Sequence, residues 1–182
     1  LGEEKICELM ADEVKRLRAA WSPRGIMMSH DEIRTLNWDK SCGDRKLSPG
    51  AMLADNIRCC TAMLDGVDAY VWNDMFDPHH NAHADFYLVR GDFAGSWEGL
   101  EARVTIVNWN FDQRRKSLPF FAQRGHKQVI AAYYDGDLAR VGQWLAAARE
   151  VQGVSGIMYT TWEQDYTQLE AFARMVKESA GR

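Results

Sequence analysis

Five short apolar runs, each ending in a cluster of acids, amides and aromatic rings, govern what this sequence can fold into. They are Gly25-Ile26-Met27-Met28, Ala69-Tyr70-Val71-Trp72, Val104-Thr105-Ile106-Val107, Gln128-Val129-Ile130-Ala131-Ala132 and Ser155-Gly156-Ile157-Met158-Tyr159. Each is bounded by turn residues, the pattern of a strand buried on both faces. Helical stretches separate them. Ile6, Leu9, Met10, Val14 and Leu17 repeat at helical spacing until Ser22-Pro23-Arg24-Gly25 stops the helix. Ser48-Pro49 reads as an N-cap with proline in the first turn of a helix running to about Leu64. Ser117-Leu118-Pro119 reads as another helix start, closed at Gly125. A helix from about Asp137 to Val151 and a last one carrying Leu169, Phe172, Ala173 and Val176 complete the series.

Strands alternating with helices imply right-handed crossovers and a parallel sheet. No glycine-rich phosphate loop follows any strand, which disfavours a doubly wound nucleotide-binding sheet. The strand ends instead collect His30, Asp31, Glu32, Trp72, Asp74, Trp109, Tyr133, Asp135, Trp162 and Glu163. A (β/α)8 barrel builds its site at that face. The expected fold is therefore α/β, a partial (β/α)8 TIM barrel of about five βα units (strands 4 to 8). It is read as a single domain over residues 1–182 with the N-terminal units absent. Open sheet edges predict a homo-oligomer or a missing N-terminal half-barrel as partner.

Acids and tryptophans together are the equipment of a carbohydrate site. Sugar C–H faces pack on rings, and glycosidic cleavage needs a protonated acid at the leaving oxygen. The order Asp31-Glu32, Trp72 with Asp74, Tyr133-x-Asp135, then Trp162 resembles the strand-end signatures of family 20 glycoside hydrolases, the β-N-acetylhexosaminidases, over about residues 25–166. The resemblance implies Glu32 as general acid and Asp31 as the residue orienting the substrate's 2-acetamido group. That group, not the protein, supplies the nucleophile. It further implies Tyr133 on the acetamido carbonyl, Asp135 on sugar hydroxyls, and Trp72, Trp109 and Trp162 as pocket walls, with His30, Asp74 and Glu163 as further substrate contacts. Strand parity alone leaves Tyr133 and Tyr134 open, one facing the barrel interior and the other the helices, and only the Tyr-x-Asp match selects Tyr133. No cofactor is implied. The sequence departs from the family at Met28-Ser29-His30, where small residues are usual, and at Trp162-Glu163, where one residue normally intervenes. Adjacent strand residues face opposite sides, so Asp31 and Glu32 can share one site only if the backbone turns there.

Other features carry less. His79, His80, His83 and Asp85 offer an alternative reading as a metal-dependent hydrolase loop, with a non-catalytic carbohydrate-binding fragment as a third. Trp97-Glu98 belongs either to a substrate-facing loop or to the packing beneath it. A net charge of −4 excludes a general nucleic-acid binder. The run Arg114-Arg115-Lys116 is a solvated loop, and Phe86-Tyr87-Leu88-Val89 is a candidate extra strand. No apolar run approaches the ~20 residues of a membrane helix. Cys7, Cys42, Cys59 and Cys60 show no metal or disulfide spacing and read as reduced thiols.

Overall fold

The computed structural model describes residues 3–36, 40–64, 66–86 and 90–180. They fall into two compact units, Leu1–Thr105 and Ile106–Arg182. Five strands alternate with helices through both, the α/β class and unit order of a partial (β/α)8 barrel.

In the first unit, α1 (Glu4–Trp21) ends where Ser22 takes a left-handed φ of 47° and its N–H bonds back to Arg18. Strand β1 (Gly25–Met27) follows. A single helical turn, α2 (Lys40–Gly43), precedes the next helix, with Cys42 turned inward and buried. Helix α3 (Pro49–Met63) starts as its sequence dictates. Ser48 Oγ accepts the Ala51 N–H at 3.1 Å, and proline occupies the first turn. Strand β2 (Asp68–Trp72) pairs parallel with β1 in the register Ile26 with Ala69. Beyond it come two single 3-10 turns, Asp74–Phe76 and Ser96–Gly99. The second lies against α3 at backbone distance. A Cβ on Gly50 would stand 2.0 Å from the Ala94 carbonyl oxygen, and one on Gly99 would stand 2.3 Å from that of Ala54. Met52, Leu53, Ile57, Leu64, Met75, Phe76 and Phe93 fill the core between them. Cys7 and Cys59 approach to 3.7 Å between sulfurs, and all four thiols are free. From residue 87 on, the Phe86-to-Val89 candidate strand lies outside the described residues.

The second unit holds β3 (Thr105–Asn108) from Ile106 onward, α4 (Arg114–Gln123), β4 (Gln128–Tyr133), α5 (Ala139–Arg149), β5 (Val154–Thr160) and α6 (Leu169–Ala180). Strand β4 pairs parallel with both β3 and β5, with a register irregularity at Gln128/Val129. Helix α4 starts three residues before the expected Ser117. Asn110 Oδ1 accepts the Asp112 N–H at 3.1 Å and turns the chain early, which leaves Pro119 inside the helix. Arg114-Arg115-Lys116 is therefore helical, not loop. Leu118, Ile130, Val141, Trp144, Ala147 and Phe172 form the apolar core. One buried amide chain crosses it: Asn108 Nδ2 donates to Gln128 Oε1 at 3.0 Å, and Gln128 Nε2 donates to the Leu118 carbonyl at 3.0 Å. Among the described residues no helix is long and apolar enough to cross a membrane.

Candidate functional site

Backbone strain marks the strand ends. A left-handed φ on a residue with a Cβ costs on the order of 1–2 kcal/mol. Of the ten such non-glycine residues among those described, six lie in two segments: Ser29, His30 and Glu32 after β1, and Tyr133, Tyr134 and Asp135 at the end of β4. Strain of this kind persists only where neighbouring groups hold it, so the holding contacts define each cluster.

After β1 the chain turns at φ 60°, 65° and 46° at Ser29, His30 and Glu32. Three tethers fix it. The Ser29 carbonyl accepts the Trp72 N–H at 3.2 Å. His30 Nδ1–H donates to the Met28 carbonyl at 2.9 Å, and its Nε2 lies 3.0 Å from the side-chain amide of Asn56 on α3. Burial pushes the His30 pKa below its usual value, against hydrogen bonds and the Asp31 charge that favour the cation. The third tether is Asp74. Its Oδ2 accepts the Glu32 backbone N–H at 2.8 Å and the Asn81 side-chain N–H at 2.8 Å. The turn leaves Asp31 exposed and Glu32 half-buried, with Arg34 Nη2 donating to Glu32 Oε2 at 3.0 Å. His30, Asp31, Glu32 and Asp74 are thus one local cluster, with Trp72 half-buried on the strand beside it. His30 and Asp74 serve it through bonds inside the protein. Asn81, Asn56 and Arg34 belong to it without any sequence signal.

Around this cluster the loop after β2 is built from buried polar groups. Asp77 accepts from Asn73 Nδ2 and from the His79 N–H, each at 2.8 Å. His80 is 1% exposed, edge-on to Phe86, and burial drives its pKa down to about 4. His83 points out and donates Nδ1–H to the Ala84 carbonyl at 3.1 Å. One histidine turned inward and one outward do not make a ligand set. Among the described residues no group of three His, Cys, Asp or Glu side chains could hold a metal ion. Trp97 is half-buried in its 3-10 turn, which Ser96 Oγ ties to the Met75 carbonyl at 2.7 Å.

The second cluster gathers Trp109, Tyr134, Asp135, Trp162 and Glu163 at the ends of β3, β4 and β5. Asp135 accepts from Thr161 Oγ1, from the Trp162 N–H at 2.5 Å and from the Glu163 N–H at 3.2 Å. Burial raises its pKa, but these three bonds outweigh that and hold the carboxyl below its ordinary value. Tyr134 stacks on Trp109, with ring centres 5.7 Å apart and planes 7° apart, and meets Trp162 edge-on at 5.9 Å. Trp162 is 62% exposed and Tyr134 41%, so the rings form an open patch.

Tyr133 lies elsewhere. Its φ of 77° breaks the strand alternation, so it packs with Ile130, Ala132 and Phe172 in the core. There it stacks on Tyr159 at 4.4 Å, and its hydroxyl donates to Asp165 Oδ2 at 2.9 Å. Burial and the Asp165 carboxylate raise the phenol's pKa, while bonds from Thr167 and Tyr133 lower that of Asp165. The hydroxyl that the resemblance assigns to an acetamido carbonyl is occupied within the protein, and Tyr134 has the open position. Positive φ on a residue with a Cβ leaves no mark in a sequence, so the exchange is invisible there. A groove of about 430 Å³ in this unit, lined by Ile130, Leu145, Val154, Ile157 and Val176, gathers no pair of acids.

In comparisons with known proteins, no protein-family model matches the chain, and no curated protein matches it significantly.

Proposed function

We propose that the chain is the acid-bearing region of a glycoside hydrolase of the β-N-acetylhexosaminidase kind, cleaving terminal β-linked N-acetylhexosamine with retention. The supporting observation is the turn after β1, which takes Asp31 and Glu32 off the strand and anchors the second through its backbone. Two adjacent acids on a straight strand would point apart. Here left-handed φ values at Ser29, His30 and Glu32 break the strand alternation around the pair.

The chemistry follows from those two groups. Glu32 gives its proton to the glycosidic oxygen as the bond to the anomeric carbon breaks. Asp31 accepts the N–H of the 2-acetamido group and turns that group's carbonyl oxygen onto the anomeric carbon. An oxazolinium intermediate forms as the alcohol leaves. Glu32, now a carboxylate, takes a proton from water, which opens the ring at the anomeric carbon and restores the acetamido group. This is the substrate-assisted exception to the two-carboxylate scheme. In the second unit, Trp109, Tyr134 and Trp162 supply a surface on which a sugar ring stacks.

The test is hydrolysis of a fluorogenic N-acetyl-β-glucosaminide by this chain, beside Glu32→Gln and the glucoside lacking the acetamido group. Turnover should require both, with Glu32→Gln lowering kcat by about 10²–10⁴-fold. Equal cleavage of the plain glucoside removes the acetamido mechanism and keeps the acid. The ring patch favours a second reading, a carbohydrate-binding module, because stacking needs no acid. Saturable sugar binding without turnover, unchanged in Glu32→Gln, would establish that one instead.

A further inference from the structure

Asp74 is the one acid of the first cluster that no ligand can touch. It stands two residues beyond β2, is 0% exposed, and has Oδ2 committed to two donors at 2.8 Å, the Glu32 backbone and the Asn81 side chain. We infer that Asp74 is a positioning residue that acts through Glu32, holding the left-handed backbone from which the proposed acid is presented. The inference rests on the glycosidase reading for its catalytic meaning and on geometry alone for the bond itself.

Glu32 sits at φ 46°, a conformation its own side chain disfavours, so an outside group must select it. A carboxylate accepting an N–H is a charge-assisted bond, among the stronger ones available, and burial strengthens it further. The bond also has direction. Fixing the N–H of Glu32 fixes the plane of the preceding peptide, and with φ it sets where the Cβ and the acid beyond it point. Asn81 then braces the brace, since its Nδ2 shares the same carboxylate oxygen and limits its rotation. A direct contact from Asp74 to a sugar hydroxyl is excluded by its burial, so its influence on catalysis runs through the neighbouring backbone.

The experiment uses the full chain with Asp74→Ala, Asp74→Asn and Asn81→Ala. Two quantities are read: hydrogen exchange at the Glu32 amide, and kcat across aryl N-acetyl-β-glucosaminides of increasing leaving-group pKa. In the wild type the Glu32 amide should be protected. Asp74→Ala should speed its exchange by about tenfold or more relative to neighbouring amides. The same variant should lower kcat most for the poorest leaving groups, with KM changed by less than about twofold, as expected when proton donation alone is misplaced. Asp74→Asn keeps an acceptor oxygen and should keep the protection. If Asp74→Ala does not fold, Asn81→Ala carries the test, because it loosens the carboxylate without removing it.

Unchanged exchange in Asp74→Ala, or in Asn81→Ala where that variant stands in, overturns the inference whether or not the chain turns over substrate. An equal loss across all leaving groups also overturns it, leaving Asp74 a purely structural acid. If the wild type cleaves nothing and the amide is nevertheless released, the glycosidase reading falls and Asp74 stands as the anchor of the turn.

Discussion

Asp74 and Asp135 occupy equivalent places and do different things. Each lies two residues beyond a strand, β2 or β4, and each accepts backbone N–H groups from the turn after the neighbouring strand, Glu32 in one case and Trp162 with Glu163 in the other. Asp74 is fully buried and backed by Asn81, whereas Asp135 is half-buried and backed by Thr161. The held cargo differs too. The buried brace carries an acid pair, and the accessible one carries an exposed tryptophan. A proton donor must be aimed, and its orientation matters within tenths of an ångström. A stacking ring tolerates sliding. Depth of the brace tracks the precision its turn needs.

Substitution separates the two acids. Asp74→Ala, which strands one buried and one half-buried donor, should cost the first unit about 3 kcal/mol. Thermal or denaturant unfolding measures it. Next comes acidification. His80, with a pKa near 4 in the fold against the usual 6.5, is neutral in both states above pH 6.5. As pH falls from 6.5 to 4 the unfolded chain takes up a proton that the folded one refuses, so stability drops by up to about 3 kcal/mol and then levels off. His80→Gln should flatten that window, although His30, also depressed, leaves a residue of the slope. Asp135 and Asp165 add a separate loss at lower pH, because their pKa values are held down in the fold and their bonds vanish on protonation.

Asp135→Ala should destabilise less than Asp74→Ala, since water reaches the donors it releases. Equal losses would erase the distinction between the two braces. The smallest effect is expected at the patch. Tyr134→Ala should weaken binding of N-acetylglucosamine oligomers by about tenfold, read by tryptophan fluorescence, while Tyr134→Phe keeps the stack and most of the affinity.

The alternation of strands and helices was legible because it rests on burial periodicity, which side chains write directly into sequence. All five strands lie within a residue or two of their apolar runs, and Ser48-Pro49 marks the start of α3. Events decided by a single side-chain bond were not legible. Asn110 turns the chain ahead of α4, which starts early, and Cys42 is buried in a single helical turn that no apolar run marks. The site divides the same way. Which residues stand at strand ends follows from the pattern, so Asp31, Glu32, Trp109, Trp162 and Asp135 could be named in advance. How they face does not follow, because the Glu32 backbone and the Tyr133 hydroxyl are held by partners 42 and 32 residues away in the chain, Asp74 and Asp165. The choice between Tyr133 and Tyr134, and the parts played by Asn81 and Asp165, emerge only in the fold.

Gly50 and Gly99 have a consequence for descent. Each sits where a methyl group would collide with a carbonyl oxygen, so neither position can drift to another residue without parting α3 from the turn that covers it. Surface acids and rings can be exchanged as a lineage changes its substrate, but this pair is bound to the packing. A diverged relative that has lost Asp31-Glu32 and every tryptophan should still spell these two glycines. They, more than the chemistry at the strand ends, are the letters by which distant kin of this chain can be recognised.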